Sequence, residues 1–499
     1  MSRSGFVIRE KDGSGHVTAL YRSGIERHSK QLGLPKKTAA HGWRQLLSDV
    51  FLPEGYPATV SDDYLQYQIW NALQAFCSSL ASLFASRAVL QAHGVGNASA
   101  SATNAILLTV LQDVFSRLTT IVAGYYLGTS LYPEAKTYRL LADIFNDMAI
   151  ILDTLSPYLA TITFSPRYPY IIPTSDSPLR TVALCLSGAS RAICGAVAGG
   201  SKAALTVHFA TAGEKPGDVG DLSAKDGSKE TVLALLGMLC GTVVVQYVHG
   251  PQETYAVLFT LIFFHLATNF KAVRVISMRS FNRQRASIAW EAYRSSFDMH
   301  GNAVSQATIL PHKAVSRREH IFVDSSWIVH DKKFPARCFL GVPFASIRGP
   351  CTGLEGTMIP FLSTPSRLRH DTLTDEETVA LLEAFADEQY VLWFASAPAA
   401  TVRLVVGFKE GHGPHDHLKA WAHAHEVARI CGSETPSEFG TQLAAVQVAL
   451  ELVSKMFPSF VEAAKATGWK VDEGALVGGS PVTMSVELGG GVLEDRKNV

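Results

Sequence analysis

Residues 221–241 read DLSAKDGSKETVLALLGMLCG. Asp221, Lys225, Asp226, Lys229 and Glu230 crowd the first half of this stretch, with Ser228 among them. From Thr231 to Gln252 there is then no Asp, Glu, Lys or Arg. A helix over 231–248 is about 27 Å long at 1.5 Å per residue. The turn VHGPQE (248–253) follows, and 254–270 forms a second uncharged run of about 26 Å. A bilayer's hydrocarbon core is about 30 Å thick, so each run is just long enough to cross it. Residues 271–285, KAVRVISMRSFNRQR, carry Lys271, Arg274, Arg279, Arg283 and Arg285 and no acid. The turn at 249–253 carries no cation. The positive-inside rule then predicts a membrane hairpin over 231–270, with the basic segment 271–285 cytoplasmic. The competing reading is a helical hairpin buried in a soluble bundle.

Upstream, the pattern is also helical. FLPEGYP (51–57) is a rigid turn, and a long helix follows to about Gln91 with Ser61 as its N-cap. Ser78, Ser82 and Ser86 recur every four residues beside Ala81 and Ala85, a small-residue ridge that lets helices approach. Further helices are expected over 104–127, 134–155 and 180–210, the last with Gly195 and Gly199 as a close-packing pair. Before 50, Phe6–Arg9 and Val17–Tyr21 flank Asp12-Gly13-Ser14-Gly15 and suggest a hairpin in a capping segment. The first residues lack the apolar core of a signal peptide, so the chain is expected not to be secreted.

Downstream of a linker at 291–319 the period changes. IFVDSSWIV, ARCFLGV, YVLWFA and TVRLVVGF suggest strands, and Thr374 with Glu377 opens a helix as a capping box. Pro414–Cys431 and 441–467 are helical, and 471–499 is expected to be a disordered tail. The fold class is therefore a mainly α-helical N-terminal domain over 51–290, a bundle with a membrane hairpin, plus a smaller C-terminal α+β domain over 320–470.

Lys plus Arg and Asp plus Glu both number 44, which argues against a nucleic-acid partner. Charged residues are only 18% of the chain, below the usual quarter, as membrane-grade segments beside a soluble part would give. The seven cysteines are scattered without a C-x-x-C pair, so a disulfide framework is not expected.

Four groups merit weighing as sites. GVGNAS (94–99) follows a helix and lacks the third glycine of a dinucleotide fingerprint. The histidines of HGPHDHLKAWAHAH (412–425) lack chelating spacing, His423 and His425 pointing about 200° apart on a helix, so they read as surface and interface histidines. More telling are the charges inside apolar helices. Asp113 and Arg117 are spaced i,i+4, and Asp143 and Asp147 share a face with Asn146 beside them and Arg139 one turn earlier. Such groups serve acid–base chemistry, cation binding or proton relay, or fix helix packing as a polar network. The 221–230 stretch reads as a helix entrance capped by Asp226 or Ser228, with Lys225 and Lys229 flanking free backbone N–H groups. No catalytic constellation, metal set or cofactor is expected.

FLPEGYP (51–57), YLQYQIWNALQAFCSSL (64–80), GVGNASA (94–100), LADIFNDMAIILDTLSP (141–157), ALTVHFA (204–210), DLSAKDGSKETVLALLG (221–237) and NRQRA (282–286) run in one order across half the chain. Together they resemble the root UVB sensitive family, a eukaryotic family built on a domain of unknown function. The chain departs from the family pattern at DVFS (113–116) and across 211–220. The resemblance implies a membrane protein without established enzyme activity, its plant members tied to UV-B responses, vitamin B6 balance and auxin transport. The expected function is a non-enzymatic membrane scaffold or regulator in transport or metabolite homeostasis. The alternatives are a small-molecule carrier lined by Asp113, Arg117, Asp143 and Asp147, or a soluble ligand-binder using the 221–230 loop. Expected contact residues are Asp221, Lys225, Asp226, Ser228, Lys229 and Glu230, with His208 of ALTVHFA. Expected partners are membrane lipid, a small-molecule ligand and proteins, another family member among them.

Overall fold

The computed structural model describes residues 7–11, 17–22, 30–32, 50–93, 95, 102–162, 177–298, 300–305, 307–329, 336–349, 372–395, 402–432, 436–479 and 481–487. Most of 94–99 and all of 488–499 lie outside these. The chain divides into two compact units, Met1–Leu131 with Ala135–Ile276, and Tyr132–Glu134 with Ser277–Val499. The division falls earlier than the expected 290.

The first unit begins with a three-stranded antiparallel sheet of β1 (Val7–Lys11), β2 (Val17–Arg22) and β3 (Lys30–Leu32), in that order. Six long helices follow: α1 (Tyr64–Ala92), α2 (Ala102–Leu127), α3 (Ala135–Thr161), α4 (Pro178–Thr211), α5 (Val219–Tyr247) and α6 (Pro251–Val275). The expected hairpin, α5–α6, is not a closely packed pair. Both helices lie along α1 instead. Gly237 and Gly241 of α5 make this possible, since a Cβ on Gly237 would sit 2.7 Å from the Phe76 carbonyl oxygen and one on Gly241 2.4 Å from Leu83 Cδ1. Leu258 and Ile262 of α6 bury against the same helix, in a cluster with Leu80, Ala81, Phe84 and Ala85. Gly195 and Gly199 are expected to be a packing pair, yet a Cβ on either would meet nothing within 4 Å among the described residues. The tight contacts of α4 lie at Gly188 against Gln112 and Gly200 against Leu131.

Helix α5 starts twelve residues before Thr231, at Val219, because Asp218 caps it by accepting from Gly220 N and Asp221 N. The 221–230 stretch is thus helix and not loop. Asp221 sits in the first turn with its N–H on the Asp218 side chain, and neither Asp226 nor Ser228 is the cap.

The second unit builds a sheet in the order β4 (Trp327–Val329), β5 (Ala336–Leu340), β7 (Val402–Lys409), β6 (Tyr390–Phe394), with β8 (Thr483–Met484) also on β7. Strands β5 and β7 run parallel, while β6 runs antiparallel to β7. β6 is buried at every position and β7 at most, which is why both read as continuous apolar runs. Helices α7 (Arg283–Arg294), α8 (His312–Arg318), α9 (Phe344–Arg348), α10 (Asp375–Ala384), α11 (Pro414–Cys431) and α12 (Phe439–Ala466) complete it. Trp290, Tyr293, Trp421 and Phe460 fill its core.

Three sequence expectations are corrected here. Residues 291–319 are not a linker, since Tyr293, Ile309 and Val315 are core residues. The chain after 471 is not wholly disordered: Val471 and Leu476 are buried and β8 pairs with β7. His423 and His425 are not surface groups. His423 bonds Tyr390 Oη at 3.1 Å and the Val446 carbonyl at 2.9 Å, and His425 Nε2 lies 2.9 Å from Ser287 Oγ. Burial pushes His423 down to about 4 and His425 down to about 3.

Candidate functional site

Helix α1 carries polar residues at i, i+3 and i+4 spacing, namely Tyr64, Gln68, Asn71, Gln74 and Ser78. That spacing places them on one face. Tyr64, Gln68, Asn71 and Gln74 are all buried, so the face points into the bundle. A polar face turned inward demands partners, because an unpaired buried polar group is costly.

The partners come from four other helices. At one end, Tyr64 donates to Asp226 of α5 at 2.8 Å, and Lys229 Nζ lies 2.6 Å from Tyr64 Oη and 2.8 Å from Asp226. One turn on, Asn71 donates to Glu230 at 3.1 Å, and Lys202 of α4 pairs with Glu230 at 2.7 Å. Arg139 of α3 donates to Asn71 at 2.9 Å and pairs with Asp143 at 3.8 Å. Deeper still, Gln74 and Asn269 both donate to Asp143. His265 of α6 places Nδ1 2.8 Å from the Asp147 carboxylate and Nε2 3.9 Å from Asp143. Asn146 closes this end by donating to Ser78 at 3.1 Å.

The anticipated residues therefore divide. Asp143, Asn146, Asp147, Asp226, Lys229 and Glu230 meet in one network. His208 is buried 3.2 Å from Asp63, beside Phe209. Asp221 accepts the Glu54 backbone N–H at 2.9 Å, which ties α5 to the FLPEGYP turn. Lys225 is half-buried. Ser228 is exposed and donates to the Ala224 carbonyl, a helix-internal bond. Asp113 and Arg117 both lie exposed on α2, away from the network. Six members are not legible as site residues in the sequence: Tyr64, Asn71, Gln74, Lys202, His265 and Asn269. His265 had a signal, as the one ionisable side chain apart from Tyr255 in the run 254–270.

The outside of this unit has the opposite character. Helix α2 exposes Ile106, Leu107, Val110, Phe115, Leu118 and Ile121, α5 exposes Leu235, Leu236, Leu239 and Val243, and α6 exposes Phe259, Phe263 and Phe264. Among the described residues, six helices are long and apolar enough to cross a membrane. Five are α1, α2, α4, α5 and α6 of this unit, and the sixth is α12, whose inner face is core in the second unit. The basic segment is not uniformly exposed. Lys271 sits 4.8 Å over the Trp70 ring, and Arg285 is buried against Glu319 at 3.0 Å. No group of three or more His, Cys, Asp or Glu among the described residues is arranged to hold a metal ion.

Residues 37–296 match the family model described as the vitamin B6 photo-protection and homoeostasis domain. RUS family member 1 of Dictyostelium discoideum is 32% identical over 255 residues, which cover 50% of this chain and 45% of that protein. Protein root UVB sensitive 3 of Arabidopsis thaliana is 31% identical over 291 residues, 58% of this chain and 61% of that protein. Protein root UVB sensitive 5 of the same plant is 23% identical over 258 residues, 50% of this chain and 47% of that protein. The matched region thus spans about half the length of these relatives. No solved structure matches the chain.

Proposed function

The chain belongs to the root UVB sensitive family, and from that premise we propose that its helical unit lies in a lipid bilayer and carries a small polar metabolite across it. The observation behind this reading is the inversion of polarity. Aliphatic and aromatic side chains face outward on α2, α5 and α6, while charged and amide groups face inward from α1, α3, α4, α5 and α6. In water, outward Leu and Phe and inward Asp and Lys is the costly arrangement. In lipid it is the favoured one, and ionisable residues held inside a bundle mark a solute or ion path. A scaffold needs the apolar exterior but has no use for so many buried charges. The family's domain description makes a vitamin B6 compound the first solute to try.

Alkaline carbonate extraction followed by reconstitution tests it. The protein should stay with the membrane, and proteoliposomes should take up labelled pyridoxine faster than empty vesicles. Asp143→Asn should remove that uptake in protein that still runs as a single species on size exclusion. Release by carbonate would overturn the membrane reading. Retention without uptake, across pyridoxine and a wider metabolite panel, would leave the regulatory scaffold in the carrier's place.

A further inference from the structure

We propose that His265 and Asp147 form a binding site for a single exchangeable proton, the coupling ion of the carrier. The meaning of that proton for transport rests on the reading above, but its existence does not. The argument is a count of charge along the network. Lys229 answers Asp226 at 2.8 Å, Lys202 answers Glu230 at 2.7 Å, and Arg139 answers Asp143 at 3.8 Å. Three acids and three permanent cations cancel. Asp147 is the fourth acid and has no permanent cation, only His265 at 2.8 Å. With one proton held between the imidazole and that carboxylate in addition to the neutral ring's own, the network is neutral. Without it, one negative charge stays uncompensated in a region where Asp147 is 3% exposed, His265 1% and Asn269 0%. Burying an unpaired charge is among the costliest arrangements a protein can adopt.

The surroundings support a proton rather than a larger cation. The groups facing the pair are Asp143 and Arg139 of α3 and Gln74 of α1, with Asn269 one turn along α6. Cys194 of α4 and Glu230 of α5 act on the same field from further off. The amide nitrogens of Gln74 and Asn269 both donate to Asp143, which fixes that carboxylate as an acceptor, while Gln74 Nε2 also lies 3.4 Å from His265 Nε2 and Asn269 Nδ2 3.4 Å from the Arg139 carbonyl. His265 Nε2 lies between the Gln74 amide nitrogen at 3.4 Å and the Asp143 carboxylate at 3.9 Å. The buried Oδ1 of Asn269 has no hydrogen-bond partner. It is an acceptor that a proton-bearing group or a water can use when the pair opens. The pair bridges α3 and α6, so gaining or losing the proton changes the attraction between two helices that both pack on α1. A bundle that rearranges around a fixed site can couple such a change to solute movement.

The test uses the purified full chain in detergent, with Asp147→Asn and His265→Gln beside wild type. Thermal stability is followed from pH 6 to pH 9, and ¹⁵N-histidine spectra are taken at pH 7. Wild type should lose stability as the pH rises, because the balancing proton leaves. Asp147→Asn removes the fourth acid, so its profile should be flat over that range. His265→Gln should melt lower at every pH, also with a flat profile. The wild-type minus His265→Gln difference spectrum should show an imidazole sharing two protons with its partners. An Asp147→Asn profile that slopes like wild type, or a difference spectrum of a plain neutral imidazole, would overturn the proposal. A purely structural pair would lower stability in both variants and leave the slope unchanged. None of these readings depends on carbonate extraction or on uptake, so the carrier reading can fail while the proton site stands.

Discussion

The two units solve the burial of charge in opposite ways. In the C-terminal unit, Glu426 takes Trp290 Nε1 and Arg294 Nε, each at 3.0 Å, and the neighbouring histidines 423 and 425 are kept neutral by burial. Glu426 closes on Arg294 and Glu319 on Arg285, each beside a core of aliphatic and aromatic side chains. In the helical unit the charges line the polar face of α1 from Asp226 to Asp147, and apolar side chains of α2, α5 and α6 face outward. One arrangement suits a water-bounded core, where polar groups are few and self-contained. The other suits an interior that must stay polar while its surroundings are not.

Acid should break the C-terminal unit first, and this is the largest effect expected. His423 and His425 sit near 4 and near 3, below the ordinary 6.5, because burial opposes their charged forms. Above pH 6.5 both are neutral folded or unfolded and they add no pH dependence. As the pH falls below 6.5 the unfolded chain takes up protons that the folded chain refuses. Stability is therefore lost progressively until the folded values are reached, on the order of several kcal/mol in all. Five tryptophans (290, 327, 393, 421 and 469) lie in this unit, so their fluorescence reports it. The unfolding midpoint should move to lower pH in a His425→Asn variant. A midpoint unmoved by that change would mean that acid unfolding is set elsewhere.

Next in size is Glu426→Ala. It strands the Arg294 guanidinium and the Trp290 N–H in the core, and removing one partner of a buried pair costs about 3–5 kcal/mol. Glu426→Gln keeps the Trp290 acceptor and should recover part of the loss. Denaturant titration of both variants measures the split. Equal losses would show that the charge, not the hydrogen bond to tryptophan, carries the effect.

The same contrast explains what the sequence revealed. Long uncharged runs are legible because a span needs continuous apolarity, so the helices and the buried strands of the C-terminal sheet could be read off. The capping box at Thr374 and Glu377 forms as the spacing implied. Pairing was not legible. Nothing local says that α1 lies between α5 and α6, because that follows from Gly237 and Gly241 meeting Phe76 and Leu83, more than 150 residues apart in the chain. Polarity alone places the start of α5 too late, because a polar stretch reads as loop. Asp221–Glu230 is polar because part of it faces Tyr64, Asn71 and Lys202, and the helix runs straight through. The pair Asp113 and Arg117 had ideal spacing, yet spacing along one helix does not say which way that helix turns. Gln74 and Asn269 were invisible for a simpler reason: an amide in an apolar helix looks ordinary until its partner is known.

The smallest expected effect separates the two units most sharply. Leu236 on α5 and Val448 on α12 are both apolar, both mid-helix and exposed to a similar degree, 47% and 49%. Both helices pass as membrane spans on length and composition alone. If α5 faces lipid and α12 faces water, the same substitution must act differently at the two sites. Leu236→Lys puts a charge near the centre of a span, which costs about 2.5–3.5 kcal/mol on insertion scales. Val448→Lys puts it on a water-bounded helix face, where surface changes stay within about 0.5 kcal/mol. The measurement is the fraction of each variant that resists carbonate extraction, with thermal stability of the extracted protein as control. Leu236→Lys should reduce the membrane-held fraction by tenfold or more, while Val448→Lys leaves it unchanged. Equal behaviour would mean that both exposed faces meet the same solvent. The outward leucines and phenylalanines of the helical unit would then need a protein, not a bilayer, to cover them.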